Sequence, residues 1–442
     1  MKEIRILSLA AAYHVVVAYS EICNSLERKG YGVHHLGIDT DYWYGGNSKK
    51  SYQEFKYSVR SLPRPSEKNT PWWQTPDILL EANDSLEDIS AFIEEIITTF
   101  NPNCFLIADD YGQLEVFLMQ LINQKKVKIV LIEHGFGNAF NHSSNLLMVD
   151  KIKTLLYKSY NLLKNKLLNP KKIRKSIDSS KATKDKLPIV KVFGTNLDTP
   201  VCAYSSLTYN NLRNNHKIAS ERLFLTGYPY FDGLIRMRDS LSRTKSLMRQ
   251  NNSRPKILFV STGHGLFGDF VRANIYYSYL AKMIRTVSNQ FDVYLRLKPG
   301  EILTSFLENK ILEEFNSLKF TFDDNTVPFT SCVLNYDLVI GESSTTLVES
   351  IALWIPVILI DFNMKNKKRY KITYEDILSN ILKVKTINCD DDILKAVNVA
   401  LSQKYISSLQ NSFVKNQDIL FYKIDGLSGE RIANVILEEV LL

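Results

Sequence analysis

Four short passages in the second half of this sequence bring donors, a cation and acids to places where a charged ligand could be held. Glu342-Ser343-Ser344-Thr345-Thr346 lies between an apolar run, Asp337–Gly341, and a helical pattern that carries Glu349. Hydroxyls beside the unpaired N–H groups of a helix start suit a phosphate. The same residues also serve as an ordinary helix cap, with Glu349 as one more helix carboxylate. Ser261-Thr262-Gly263-His264-Gly265 follows the run ILFV, and its two glycines let backbone N–H groups approach a ligand closely. Arg296-Leu297-Lys298-Pro299-Gly300-Glu301 closes the run VYLRL with a basic residue, a turn and an acid, and Asp323-Asp324 stands near another strand end. Turn chemistry, an exposed lysine and a solvated acidic pair account for each passage alone. Recurrence at successive strand ends points to a nucleotide or nucleotide-sugar site, because ligands of open α/β sheets bind along that edge.

The first half offers acid–base chemistry. Glu133-His134-Gly135-Phe136-Gly137 follows the strand-like KIVLI, and a histidine at a strand end among glycines has room to act as general base or as donor to a phosphate. A satisfied structural histidine is the alternative. Asp109-Asp110-Tyr111-Gly112, after CFLIA, is a competing carboxylate site: one Asp caps the helix QLEVFLMQL and the other is left to take a proton. Thr226-Gly227-Tyr228-Pro229-Tyr230-Phe231-Asp232 reads as a rigid turn.

Positioning these residues requires strands alternating with helices. Strand candidates are Ile4–Leu9, Gly32–Leu36, Cys104–Ala108, Lys128–Ile132, Val190–Gly194, Val201–Tyr204 and Leu223–Thr226, then Lys256–Ser261, Asp292–Leu297, Lys319–Thr321, Asp337–Ile340 and Val357–Asp361. Helical patterns such as Ser85–Phe100 and Asn274–Asn289 fill the gaps, which implies parallel, doubly wound sheets. A chain of 442 residues exceeds one comfortable core. The polar stretch from Met237 to Arg254 divides it into an N-terminal lobe, 1–240, and a C-terminal lobe, 255–442, whose last helical pattern, Gly429–Leu442, crosses back to the first lobe.

Hydrophobic content of 45% and charged content of 23% describe a soluble globular protein. Five scattered cysteines without a CxxC pair argue for reduced core thiols in the cytoplasm, against a disulfide frame or zinc site. The N-terminal apolar run is broken by Tyr13 and His14 and reads as a first strand and helix, not a signal peptide. No apolar run is long enough to cross a bilayer. The formal charge of +8 is unevenly spread: residues 151–186 carry a dozen Lys/Arg against two Asp. Leucines among those lysines fit either a basic amphipathic helix on the anionic inner face of a membrane or a solvated insertion. No nucleic-acid-binding motif accompanies the charge.

These residues resemble the two-Rossmann-lobed, GT-B type glycosyltransferases of bacterial surface polysaccharide synthesis, especially capsule-type transferases and CDP-glycerol glycerophosphotransferases. His134-Gly135 looks like the family's HG loop, Thr226–Asp232 like its TGxPxxD turn, and Asp337–Ile358 like its D-hydrophobic-SS-hydrophobic-E…PVI block. Bacterial sialyl- and polysialyltransferases also use paired serines, with a His-Pro motif, for a CMP-sugar; this chain has Lys298-Pro299 there. Lysine neutralises phosphate as a point charge.

The resemblance implies an α/β fold of two Rossmann-like lobes with a cleft between them. It implies a metal-independent enzyme without a cofactor, moving a sugar or polyol phosphate from a CMP-, CDP- or UDP-linked donor to a glycan or lipid-linked acceptor. Gly263, His264, Lys298 (with Arg296), Glu301, Ser343, Ser344, Thr345 and Glu349 would bind the donor, Glu349 through its ribose hydroxyls. His134, in preference to Asp109 or Asp110, would deprotonate the acceptor. The alternatives are a sugar-nucleotide epimerase of the same architecture and a non-catalytic membrane-associated scaffold.

Overall fold

The computed structural model describes residues 2–10, 12–40, 48–63, 86–108, 110, 112–134, 193–248, 254–263, 270–298, 301, 303–305, 307–361, 377–388 and 391–440. Asp109, His264 and the basic segment 151–186 lie outside the described residues. In the first sheet the elements run β1 (Lys2–Ala10), α1 (Tyr13–Arg28), β2 (Tyr31–Asp39), α2 (Ser48–Glu54), β3 (Ser58–Ser61), α3 (Leu86–Phe100), β4 (Cys104–Ile107), α4 (Gln113–Gln124), β5 (Lys128–Ile132), β6 (Val201–Ala203), α5 (Ser206–Asn214) and β7 (Leu223–Leu225). Helix α6 (Tyr230–Met248) leads to the second sheet. There the order is β8 (Lys256–Val260), α7 (Phe270–Val287), β9 (Asp292–Arg296), α8 (Asn309–Asn316), β10 (Thr321–Phe322), α9 (Phe329–Cys332), β11 (Leu338–Gly341), α10 (Thr345–Ala352), β12 (Val357–Ile360) and β13 (Lys385–Ile387). Helices α11 (Ile393–Ala400), α12 (Gln403–Phe421) and α13 (Ser428–Glu439) complete the described chain.

Both sheets are parallel throughout, ordered β3-β2-β1-β4-β5-β6-β7 and β10-β9-β8-β11-β12-β13. Counted within each sheet, the second has the doubly wound 3-2-1-4-5-6 order and the first has the same order with a seventh strand added beyond the sixth; both reverse direction between the first and fourth strands. Strands covered on both faces lose polar alternation: CFLI, LVIG and VILI are buried at every position. On one face of the first sheet Ile4 and Ile6 pack with Val16, Tyr19 and Ile22 of α1 and with Ile432 and Ile436 of α13. On the other, Leu7 and Phe105 pack with Ile89 and Ile93 of α3 and Leu118 of α4.

The chain divides into two compact units, residues 1–230 with 427–442, and 231–426. These limits differ from the expected lobes 1–240 and 255–442 at both ends. The polar stretch after Met237 belongs with the second unit, and α13 packs on the first. Gly429 marks that return: a Cβ there would lie 2.8 Å from the Glu21 carbonyl oxygen of α1.

Two edge strands, β3 (SVRS) and β13 (KTI), lack an apolar run and were not anticipated. The expected strand Val190–Gly194 is, where described, a turn at Phe193–Gly194. Gly194 has φ +75°, outside strand geometry, and its N–H donates to Asp110. Among the described residues no helix is long and apolar enough to cross a membrane.

Candidate functional site

In the second unit the reversal point lies between β8 and β11, and two of the sequence-predicted loops leave from there. Asp337 zips the strand starts together, accepting from Lys256 N at 2.9 Å and donating its own N–H to the Lys256 carbonyl at 2.8 Å. At the opposite end Gly341 pairs with Val260 so closely that a Cβ would stand 2.4 Å from Val260 Cγ2. Only glycine fits this approach. Beyond it Thr262 Oγ1 donates to Glu342 Oε2 at 2.6 Å, joining the loops after β8 and β11 across the crevice.

The paired serines follow immediately. Ser344 is the N-cap of α10 in extended conformation, yet its hydroxyl makes no capping bond; it is hydrogen bonded to the Thr346 hydroxyl. Ser205, Ser402 and Asp392, by contrast, cap their helices by accepting from backbone N–H groups. Ser343 and Ser344 are half-buried, Thr345 is exposed, and Glu349 is buried one turn into the helix. The site therefore presents hydroxyls and helix N–H groups at the positive end of α10.

The exit of β9 sorts its charged residues into two classes. Arg296 is buried and committed to the fold: it ion-pairs with Asp323, donates to the Asp324 carbonyl at 2.8 Å and to the Val327 carbonyl, and stacks over Phe329. Asp323 also accepts from the Tyr336 hydroxyl. The expected charge-offsetting role of Arg296 does not fit this burial, and Asp323 serves as its partner. Glu301, 4% exposed, accepts from Ser261 Oγ at 2.9 Å and from Lys298 N at 2.9 Å, while Ser261 meets Tyr277 OH at 2.7 Å and accepts from Gly263 N. Glu301 thus braces the β8 and β9 exits to each other, and Gly263 holds φ +75° within that brace. Lys298, next to this brace, is exposed, while partial desolvation of its ammonium lowers its pKa from the usual lysine range.

In the first unit the same reversal falls between β1 and β4, and here the side chains are imidazoles. His134, just past β5, has Nδ1 2.6 Å from the Ala108 carbonyl at the end of β4. A carbonyl oxygen only accepts, so Nδ1 carries the proton and Nε2 is the basic nitrogen. The ring of His14, in the first turn of α1, stacks on His134 with centroids 5.7 Å apart. Tyr228 and Tyr230, from the predicted TGYPYFD turn, stand edge-on to His14 at 6.4 and 5.9 Å. Burial, and after it the proximity of His134, pushes His14 down to about 3, so it stays neutral.

Asp110, the described member of the Asp pair, is fully buried and accepts from Gly194 N at 3.0 Å and Asn196 Nδ2 at 2.8 Å. A carboxylate so enclosed braces the β4 exit to residues 194–196. The sequence pattern gives neither His14 nor Glu133 a role. His14 registered only as an interruption of an apolar run, though its place directly after the first strand was the available signal. Glu133 carried no signal, because its partners lie some seventy residues away.

No protein-family model matches the chain, and no curated protein matches it in sequence. Solved structures do match its fold. UDP-GlcNAc 2-epimerase of Methanocaldococcus jannaschii, in complex with UDP-GlcNAc and UDP, is similar over 99% of this chain and 99% of its own, with a TM-score of 0.55 at 14% identity. The wall teichoic acid polymerase TagF is similar over 99% of this chain and 89% of its own, with a TM-score of 0.53 at 10% identity. Arabidopsis thaliana UGT89C1, complexed with UDP-L-rhamnose, covers 100% of both chains with a TM-score of 0.55 at 9% identity. The two Rossmann-like sheets are those of the GT-B fold, as the sequence motifs implied.

Proposed function

We propose that this chain is a glycosyltransferase that moves a sugar or polyol phosphate from a nucleotide-activated donor to a glycan or lipid-linked acceptor. The observation that carries the reading is the convergence at the β8/β11 reversal point: the uncapped N-terminus of α10 with Ser343 and Ser344, and exposed Lys298 at the exit of β9. Preorganised N–H and hydroxyl donors would hold the donor phosphate and stabilise charge on the leaving nucleotide. Lys298 would add a point charge there. Glu349, buried along the same helix, would meet the ribose hydroxyls. In the first unit His134, with Nε2 as its basic nitrogen, would take the proton of the acceptor hydroxyl as the nucleophile attacks. Structural relatives at this distance share a fold and not a substrate.

A thermal-shift panel of CMP, CDP, UDP, GDP and their sugar conjugates, with and without Mg²⁺, tests the donor site. Ligand at about 100 times its dissociation constant adds about 2.7 kcal/mol. A shift with one nucleotide, lost in Lys298→Ala, supports the reading; a flat panel, or a shift untouched by that substitution, sinks it. A second reading, a sugar-nucleotide epimerase, is favoured by the fold shared with the M. jannaschii enzyme over nearly the whole chain. Product formed from the nucleotide sugar alone, without acceptor, decides for it. A lipid-linked acceptor would place the enzyme at an anionic membrane surface, to which the basic composition of 151–186 is suited. Unchanged sedimentation with anionic vesicles after deletion of 151–186 would refute that placement.

A further inference from the structure

Glu133 precedes the proposed base and is fully buried. Its Oε2 accepts from Tyr204 N at 2.9 Å and its Oε1 from Thr208 Oγ1 at 3.0 Å. Its own N–H donates to the Cys202 carbonyl at 3.0 Å. One residue of β5's exit is thus tied through backbone and side chain to β6 and α5. Thr208 is itself set, because Ser205 Oγ accepts from its N–H and donates to its hydroxyl, both at 3.1 Å. Isolating a carboxylate from water is expensive, and burial pushes Glu133 up to about 8, opposed by its two donors.

We propose that Glu133 is a positioning residue for His134, holding the exit of β5 so that Nδ1–H points at the Ala108 carbonyl and Nε2 is presented as the proton acceptor. This rests on the reading of His134 as the base. Two physical paths join the residues. Along the chain, the side-chain bonds to Tyr204 and Thr208 and the backbone bond to Cys202 fix residue 133, from which His134 directly follows. Through space, the Tyr204 ring packs edge-on against Tyr228 at 5.5 Å, Tyr228 stands against His14, and His14 stacks on His134. Asp110 performs the matching task for the acceptor of that bond. It lies two residues beyond Ala108, and its carbonyl and carboxylate both accept from Asn196 Nδ2. Each carboxylate fixes one end of the Nδ1–H···O=C contact.

Nitrogen NMR of the full chain with ¹⁵N-labelled imidazoles tests this, the His134 signals being assigned by their loss in His134→Gln. The wild-type protein is expected to show a single Nδ1–H tautomer at His134. Glutamine at position 133 can accept from one donor but not from both, so Glu133→Gln should lose that pure tautomer while any nucleotide-induced thermal shift stays unchanged. A folded Glu133→Gln protein with the Nδ1–H tautomer intact overturns the proposal. If that variant does not fold, Thr208→Val, which removes one of the two bonds, carries the same test with the same two outcomes. The base reading fails separately: full turnover in His134→Gln would sink it and leave the tautomer result standing.

Discussion

The two sheets share one strand order, yet their reversal points carry opposite chemistry. In the second unit the loops after β8 and β11 offer hydroxyls and helix N–H groups and the exit of β9 adds a lysine, with Glu301 and Glu342 drawn into braces. In the first unit the corresponding edge holds two stacked imidazoles among tyrosines, with buried Asp110 and Glu133 around them. Topology makes the edge available, and the residues in the loops decide what it binds. A second contrast lies within one strand exit: Arg296 and Lys298 are two residues apart, and the first is consumed by the fold while the second faces solvent.

The largest expected effect breaks the comparison of the two edges. His134→Ala should lower turnover by ~10²–10⁴ without altering the nucleotide-induced thermal shift; loss of both together would place His134 in the donor site instead. Next is the contrast of Arg296 and Lys298. Removing one partner of a buried pair leaves the other charge unpaired, so Arg296→Ala should cost about 3–5 kcal/mol in urea unfolding. Lys298→Ala should stay within about 0.5 kcal/mol. Equal costs would erase the distinction. Gly341→Ala forces a Cβ against Val260 and should cost about 1–3 kcal/mol through overpacking, read from the same urea curves.

Acid stability follows from the buried histidines. Burial holds His14 and His35 near 3 in the fold, while the unfolded chain binds their protons below about 6.5. The unfolded state therefore gains protons first, so stability is full above about pH 6.5 and is lost as pH falls toward 3, by about 1.4 kcal/mol per pH unit for each histidine. His14→Asn should flatten the urea midpoint against pH by one such slope; an unchanged slope would mean His14 is not held neutral. The smallest effect concerns the caps. Ser402→Ala deletes an N-cap bond and should cost about 1 kcal/mol. Ser344→Ala removes none and should cost about half that or less, while abolishing the nucleotide-induced shift. A full capping cost at Ser344 would make it an ordinary cap.

Much of the fold was legible because burial on both faces writes itself into composition. The apolar runs of β4, β5, β8, β11 and β12 stand out, and the glycines and hydroxyls that end them mark the edge where a ligand can enter. The short polar edge strands β3 and β13 were invisible for the converse reason, since an edge needs no apolar run. His134, Lys298 and Ser343-Ser344 could be proposed from residue type and place in the chain alone. The division of labour among neighbouring charges could not, because Asp323 reaches Arg296, Gly194 reaches Asp110, and Thr208 reaches Glu133 only through tertiary contact. Sequence by itself determined the alternation of elements and the chemistry available at strand ends, both properties of local pattern. Tertiary structure alone decided which of those groups the fold buries in braces and which it leaves at the surface of the sheet edge, because burial and partners depend on residues distant in the chain.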